Sequence, residues 1–270
     1  MSRLIDDLIV IRGGGDLGTG VALRLHRAGF RVTILETAQP TVIRRAVAFA
    51  SAVYEGSIAV EGVAARQTGV DDDLDSVWAR GELPVVVDPG ASILSRLRPD
   101  ALVDAIMAKR NTGTRLDDAP IVVALGPGFT AGIDCHAVVE TKRGHHLGRV
   151  YYVGSAQANT GMPGTVGGQS ARRVVRAPAA GVFEALMEIG DRVAEGAAIG
   201  RVGEQPATAQ IDGVLRGILH SGLAVASGMK VADVDPRGNA ENCFTVSDKS
   251  WAVGGGALEA VLHLRRATSG

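Results

Sequence analysis

A glycine-rich turn set between an apolar strand and an amphipathic helix constrains this chain more than any other feature. Leu8 to Ile11 is apolar and Gly13-x-Gly15-x-x-Gly18 follows; Val21 to Ala28 then carries helical apolar spacing, and Gly29 is a helix stop before the buried strand RVTILE. Without side chains the backbone can turn tightly and approach a pyrophosphate, whose charge the N–H groups and dipole of a helix N-terminus favour. Glu36 closes the second strand about 20 residues on, where a carboxylate would bind a ribose hydroxyl. The loop therefore nominates Gly13, Gly14, Gly15, Asp16, Leu17, Gly18 and Glu36 as cofactor-binding residues. A tight turn with no ligand is the other reading of the same glycines, and Asp16 would repel a phosphate unless it points away or caps the helix.

Further apolar blocks at Pro84–Val87 and Ile121–Leu125 end in DPG and GPG, with a helical pattern at Ala101–Lys109 between them. Strands alternating with helices imply a Rossmann-like α/β domain with a doubly wound parallel sheet. Ligands in such sheets lie beyond the carboxyl ends of the strands. That adds Asp88, Gly126, Pro127 and Gly128 to the cofactor candidates, although ordinary strand-to-helix turns use the same residues. In IDCHAVVE, Asp134, His136 and Glu140 share one face of a strand. Asp134 and His136 are the candidate catalytic, proton-transferring pair, with a solvated strand face as the plain alternative. Arg143, His145 and, further on, Arg172 belong to a run of positive charge suited to an anionic small molecule. No metal-ligand spacing is recognisable, so no metal is expected.

After Val150 the texture changes through the turn-rich SAQANTGMPGTVGGQ, the expected linker. Beyond it, Gly181, Val182, Gly190, Val193, Gly196 and Val202 recur 32 positions later as Gly213, Val214, Gly222, Val225, Gly228 and Val234. Two copies packed face to face would make a small all-β barrel-sandwich of the biotinyl or lipoyl kind and pair the strand edges each leaves open. The hairpin GEQPATAQID between the copies has no lysine, which argues against a carrier role. The tail GGGALEAVLHLRR reads as a glycine turn entering a helix that returns to the first domain. The expected domains are 1–172 (nucleotide or cofactor binding), 173–238 (two-copy β) and 239–270 (C-terminal segment).

With 28 basic against 29 acidic residues, the chain has no field to attract nucleic acid or an anionic membrane. Cys135 and Cys243 give neither a disulfide framework nor a CxxC pattern, and no apolar run approaches the roughly 20 residues of a membrane span. A cytoplasmic location is expected, and a homo-oligomer remains open.

The segments IRGGGDLGTG, the IRR at Ile43–Arg45, PVVVDP, LGPGFTAGIDCHAVVETKRGHHLGRV, NTGMPG, DVDPR and SDKSWAVGGGALEA together resemble the YqeB-type family of accessory proteins of selenium-dependent molybdenum hydroxylases. The N-terminal half is similar to the Rossmann domain of the xanthine dehydrogenase accessory factor. The resemblance implies a maturation protein that binds molybdenum cofactor, as molybdopterin or its dinucleotide, in a Rossmann cleft, with a client molybdenum hydroxylase or another cofactor-assembly protein as partner. Two other readings stay open: an NAD-dependent oxidoreductase, for which Glu36 suits NAD over NADP, and a non-catalytic docking scaffold. Whether any reaction is catalysed is undecided at this point.

Overall fold

The computed structural model describes residues 6–158 and 164–268; NTGMPG, apart from Gly164, lies outside the described residues. The chain divides into two compact units. The first comprises Met1–Pro40, Phe49–Thr160 and Val246–Gly270, and the second Thr41–Ala48 and Gly161–Thr245.

The first unit is built on nine strands: β1 (Leu8–Arg12), β2 (Arg31–Glu36), β3 (Ser57–Val60), β4 (Val63–Thr68), β5 (Leu83–Val87), β6 (Ala101–Asp104), β7 (Ile121–Leu125), β8 (Ala137–Val139) and β9 (Val150–Tyr151). Their order across the sheet is β3-β4-β5-β2-β1-β6-β7-β8-β9. The strands from β4 through β8 are parallel, and their central members are continuous apolar runs because both faces are covered. On one face lie α1 (Asp16–Arg27) and the long C-terminal α6 (Asp248–Thr268); the short α2 (Ala52–Glu55), α3 (Leu74–Ala79) and α4 (Leu94–Leu97) complete the unit. On the other face Leu74, Trp78, Ile93 and Phe129 join Val10, Leu35, Val86, Leu102 and Val122 in one buried cluster. The indole of Trp78 donates to the Val32 carbonyl at 3.0 Å, which satisfies its polar end.

Two features of the sheet differ from the doubly wound parallel expectation and correct it. Both edges are antiparallel: β3 turns back on β4 through Glu61 and Gly62, both with positive φ as a two-residue hairpin turn requires, and β9 runs against β8. The alternation of strand and helix also fails. Ala101–Asp104, expected as the start of a helix, is a fully buried strand seated between β1 and β7, because three apolar residues at a sheet centre gain more from pairing than a short helix could. Among the described residues no helix connects β6 to β7 or β7 to β8.

The GGG of the tail is not a turn either, since Gly254, Gly255 and Gly256 lie inside α6. A Cβ on Gly254 would stand 2.5 Å from the Gly20 carbonyl of α1, and one on Gly256 would collide with the Gly148 carbonyl. These glycines let helix and backbone touch. Trp251 on the same helix lies under the guanidinium groups of Arg24 and Arg27, at 4.6 and 5.1 Å from the ring centroid.

The second unit consists of two four-stranded antiparallel sheets. One holds β10 (Val174–Arg176), β17 (Lys230–Asp235), β15 (Gly213–Ile218) and β12 (Arg192–Val193). The other holds β14 (Gln205–Thr208), β13 (Ala198–Val202), β11 (Gly181–Ala185) and β16 (Ala224–Val225). The 32-residue repeat maps β11, β12 and β13 onto β15, β16 and β17, and each copy lends its short middle strand to the other copy's sheet. Edge strands β10 and β14 lie outside the repeat. The short α5 (Glu241–Phe244) and residues Thr41–Ala48 belong to this unit too. The expected pairing of a Rossmann domain with a following biotinyl-type module is thus corrected to a mixed nine-stranded sheet and a separate unit of two antiparallel sheets into which an N-terminal segment inserts. Among the described residues no helix is long and apolar enough to cross a membrane.

Candidate functional site

Because β1, β2 and β5 through β8 run the same way, their carboxyl ends open on one crest of the first unit, and most of the residues singled out in the sequence stand there. The polar groups of the glycine loop are bound within the protein itself. Gly13 donates to the Leu35 carbonyl at 2.8 Å, and Gly14 donates to Glu36 Oε2 at 2.9 Å while its own carbonyl accepts from Ala50 at 2.9 Å. Glu36 Oε1 accepts from Thr37 N at 2.8 Å. Both oxygens of the carboxylate expected on a ribose are therefore engaged by backbone amides, and the amide expected on a phosphate is engaged by that carboxylate. Gly18 is required because a Cβ there would strike the Gly13 carbonyl, so this spacing serves close packing within the loop. Gly15 is the extended N-cap residue of α1, Leu17 lies in its first turn, and Asp16 accepts from Ser250 Oγ at 2.8 Å instead of facing a phosphate.

The neighbouring turns are committed in the same way. Asp88 is buried and caps the turn after β5, accepting from Ile93 N at 2.8 Å and Ser92 Oγ at 3.1 Å. Gly126, Pro127 and Gly128 form a turn with positive φ at both glycines. A Cβ on Gly128 would lie 2.6 Å from Arg110 N and Cα, and one on Gly13 would lie 3.0 Å from the Ala105 carbonyl. The segment after β6 is thus pressed against both loops. Beneath it, Thr114 Oγ1 links buried Arg12 to buried Asp104, at 2.5 Å to each. Burial pushes the Asp104 carboxyl above the ordinary carboxylate range, although Thr114, the Ile106 amide and Arg12 all oppose that.

Asp134 and His136 do not form a pair. Strand β8 begins only at Ala137, so the alternation expected to align them does not extend to Asp134. Asp134 accepts from Thr130 N at 2.8 Å and Asn111 Nδ2 at 3.4 Å, whereas His136 Nδ1 accepts from Val122 N at 3.0 Å. Burial lowers the His136 pKa, consistent with a neutral ring that accepts from an amide. Cys135 between them is buried in the core and its thiol is pushed up to about 12, chiefly by desolvation. Arg143 is held by Asp248 through two bonds of 2.7 and 2.9 Å, and the exposed His145 stacks edge-on against His146. Arg172 belongs to the second unit, where it is bound by Glu195 and the Gln210 carbonyl.

The residue that the sequence reading missed is Lys249, at the start of α6. The Ser250–Asp16 bond brings this helix start against the start of α1, and the Arg143–Asp248 bond ties it to the loop after β8. Lys249 is half-buried, and desolvation lowers its pKa, aided by Arg143 and opposed by Asp16, Glu140 and Asp248. Among the described residues it makes no ion pair, because the acids around it are engaged elsewhere: Asp16 by Ser250, Asp248 by Arg143, and fully buried Glu140 by the amides of Lys142 and Gln157, both at 2.8 Å. SDKSWAVGGGALEA contained the residue, but apart from Asp248 the charged groups acting on it, Arg143, Asp16 and Glu140, come from segments more than a hundred positions away. Among the described residues no three His, Cys, Asp or Glu side chains are grouped to hold a metal ion.

No protein-family model matches the chain. A protein of Escherichia coli (strain K12) named "Uncharacterized protein YqeB" is 54% identical over 257 residues, covering 95% of this chain and 48% of that protein. The chain spans about half the length of this curated relative. Solved structures similar to it include an aspartoacylase family protein from Mesorhizobium loti, with TM-score 0.26 and 14% identity over 85% of this chain and 84% of that one. Another is a succinylglutamate desuccinylase/aspartoacylase from Rhodobacter sphaeroides, with TM-score 0.26 and 17% identity over 85% of each chain. At such TM-scores neither fold nor activity passes to this chain. The glycine-loop groups expected to meet a cofactor are bound within the protein instead. The expected membership of a molybdenum hydroxylase accessory family, its likeness to the xanthine dehydrogenase accessory factor and the maturation role are therefore corrected. What stands is similarity to a protein of uncharacterised function.

Proposed function

We propose that the first unit binds a small anionic molecule, a carboxylate or a phosphate, on its crest beside Lys249. One observation carries this reading: a half-buried lysine that makes no ion pair among the described residues. Such a group bears a desolvation cost that an anion from solution would offset. Arg143, positioned by Asp248, and Lys142 add positive charge from the loop after β8, which suits the same class of ligand. The glycine loop serves as a rigid floor in this reading, closed by Glu36, and does not hold the anion itself. A cytoplasmic location belongs to the proposal, since the two buried, unpaired thiols suit a reducing compartment.

Native mass spectrometry of the purified protein tests it. A small anion retained by the wild type and lost from Lys249→Met is the expected result. Equal retention by both proteins, or no retained or titratable small anion in either, would overturn the reading.

A further inference from the structure

We propose that residues 105–114 are a lid across the crest, latched by Asp104, whose lifting uncovers the buried Arg12–Asp104 pair. The whole connection from β6 to β7, residues 105–120, holds no helix or strand. In compact domains a connection longer than about 12–15 residues without secondary structure is uncommon, and lids are among its usual roles. This one leaves β6 between β1 and β7, at the strand ends where α/β sheets receive their ligands. It lies against the turns on both sides. A Cβ on Gly13 would touch Ala105 and Ile106 at 3.0 Å, one on Gly126 would meet Met107 Cε at 3.4 Å, and one on Gly128 would strike Lys109 and Arg110.

Both ends of the segment are fastened and its middle is not. Asp104 Oδ1 accepts from Ile106 N at 3.1 Å and Oδ2 from Thr114 Oγ1 at 2.5 Å, so one buried carboxylate grips the segment at its start and at its finish. Asn111 braces the finish, accepting from Gly113 N at 2.9 Å and from Thr114 N at 2.8 Å. Among the described residues no hydrogen bond holds residues 107–110, and Ala108, Lys109 and Arg110 are exposed. Met107 and Lys109 take φ of 62° and 64°, a left-handed conformation that is costly for any residue with a Cβ. Closure is thus held against backbone strain by bonds at the two ends, as suits a segment that opens before the sheet does. Thr114 Oγ1 also accepts from Arg12 Nη1 at 2.5 Å, and that nitrogen stands 4.0 Å from Asp104 Oδ2. Lifting the lid therefore takes two donors from Asp104 and the hydroxyl from Arg12, which leaves a donor beside an acceptor at the ligand-bearing end of the strands.

Hydrogen exchange of the Ile106 amide, which Asp104 protects, reads the latch in the full chain. No ligand is added, so the lid stands or falls separately from the anion reading at Lys249. Thr114→Val removes the hydroxyl and is expected to speed this exchange about tenfold while the amides of β7 keep their protection; Thr114→Ser, which keeps the hydroxyl, should stay within about twofold of wild type. Lys109→Gly relieves the strain at an exposed position and is expected to slow the exchange about fivefold. Unchanged exchange at Ile106 in Thr114→Val, or amides of β7 accelerated in step with it, would overturn the lid. Exchange in Lys109→Gly as fast as in wild type would do the same.

Discussion

Three consecutive glycines in α6 offer a sharp test of the packing, because an alanine at each should act differently. In a helix interior, replacing Gly with Ala stabilises by about 1 kcal/mol through conformational entropy alone. At Gly255 a Cβ meets nothing within 4 Å, so Gly255→Ala should show that full gain. At Gly254 the Cβ would stand 2.5 Å from the Gly20 carbonyl, a backbone atom that cannot rotate aside. The helices must separate there, at an overpacking cost of about 1–3 kcal/mol. The same propensity gain is present in both variants, so their difference isolates the overpacking: Gly254→Ala should fall about 1–3 kcal/mol below Gly255→Ala. Gly256→Ala should side with Gly254→Ala, since its Cβ would collide with the Gly148 carbonyl. Urea unfolding followed by tryptophan fluorescence reads this directly, because Trp78 and Trp251, the two tryptophans of the chain, both lie in the first unit. Three variants of equal stability, or Gly255→Ala as the least stable, would refute the assigned contact between α1 and α6.

Other perturbations probe the crest and the core. Glu36→Ala leaves the buried Gly14 amide without its acceptor and should cost about 1–3 kcal/mol in the same urea assay, with Glu36→Gln closer to wild type; unchanged stability would mean that the carboxylate does not close the loop. Asp104 has a folded pKa above the ordinary carboxylate value, so the folded state keeps its proton longer than the unfolded state does. Its contribution to stability should therefore fall as pH rises from the ordinary value through the raised one, and Asp104→Asn should remove that part of the slope. The two buried thiols, with Cys135 pushed up to about 12, should resist a thiol-specific reagent in the folded protein at neutral pH and react after unfolding.

Local signals made the opening of the fold legible. Gly13 to Gly18 between apolar and amphipathic stretches located β1, α1 and β2, and the blocks at Pro84–Val87 and Ile121–Leu125 coincide with β5 and β7. The repeat at 32 residues is also visible strand by strand. Three things were not legible, each for its own reason. Ala101–Asp104 has too few residues for periodicity to separate strand from helix, and only its place between β1 and β7 decides it. Gly254–Gly256 imitates a turn because glycine signals both turns and close approach, and the partner, Gly20, is 234 positions from Gly254. The glycine loop matched a phosphate cradle in sequence, yet the acid that completes the match folds back onto the Gly14 amide. Lys249 gave no sequence signal because its surroundings are assembled from α1, the loop after β8 and α6.

The most direct test of anion binding at this crest is the titration of the Lys249 amine itself, followed by NMR on selectively labelled protein with and without succinate. The account predicts a midpoint below the ordinary lysine value of about 10.4 in the free protein, moving upward when the anion binds, since proton and anion must favour each other reciprocally. An ordinary midpoint that the anion does not move would contradict it.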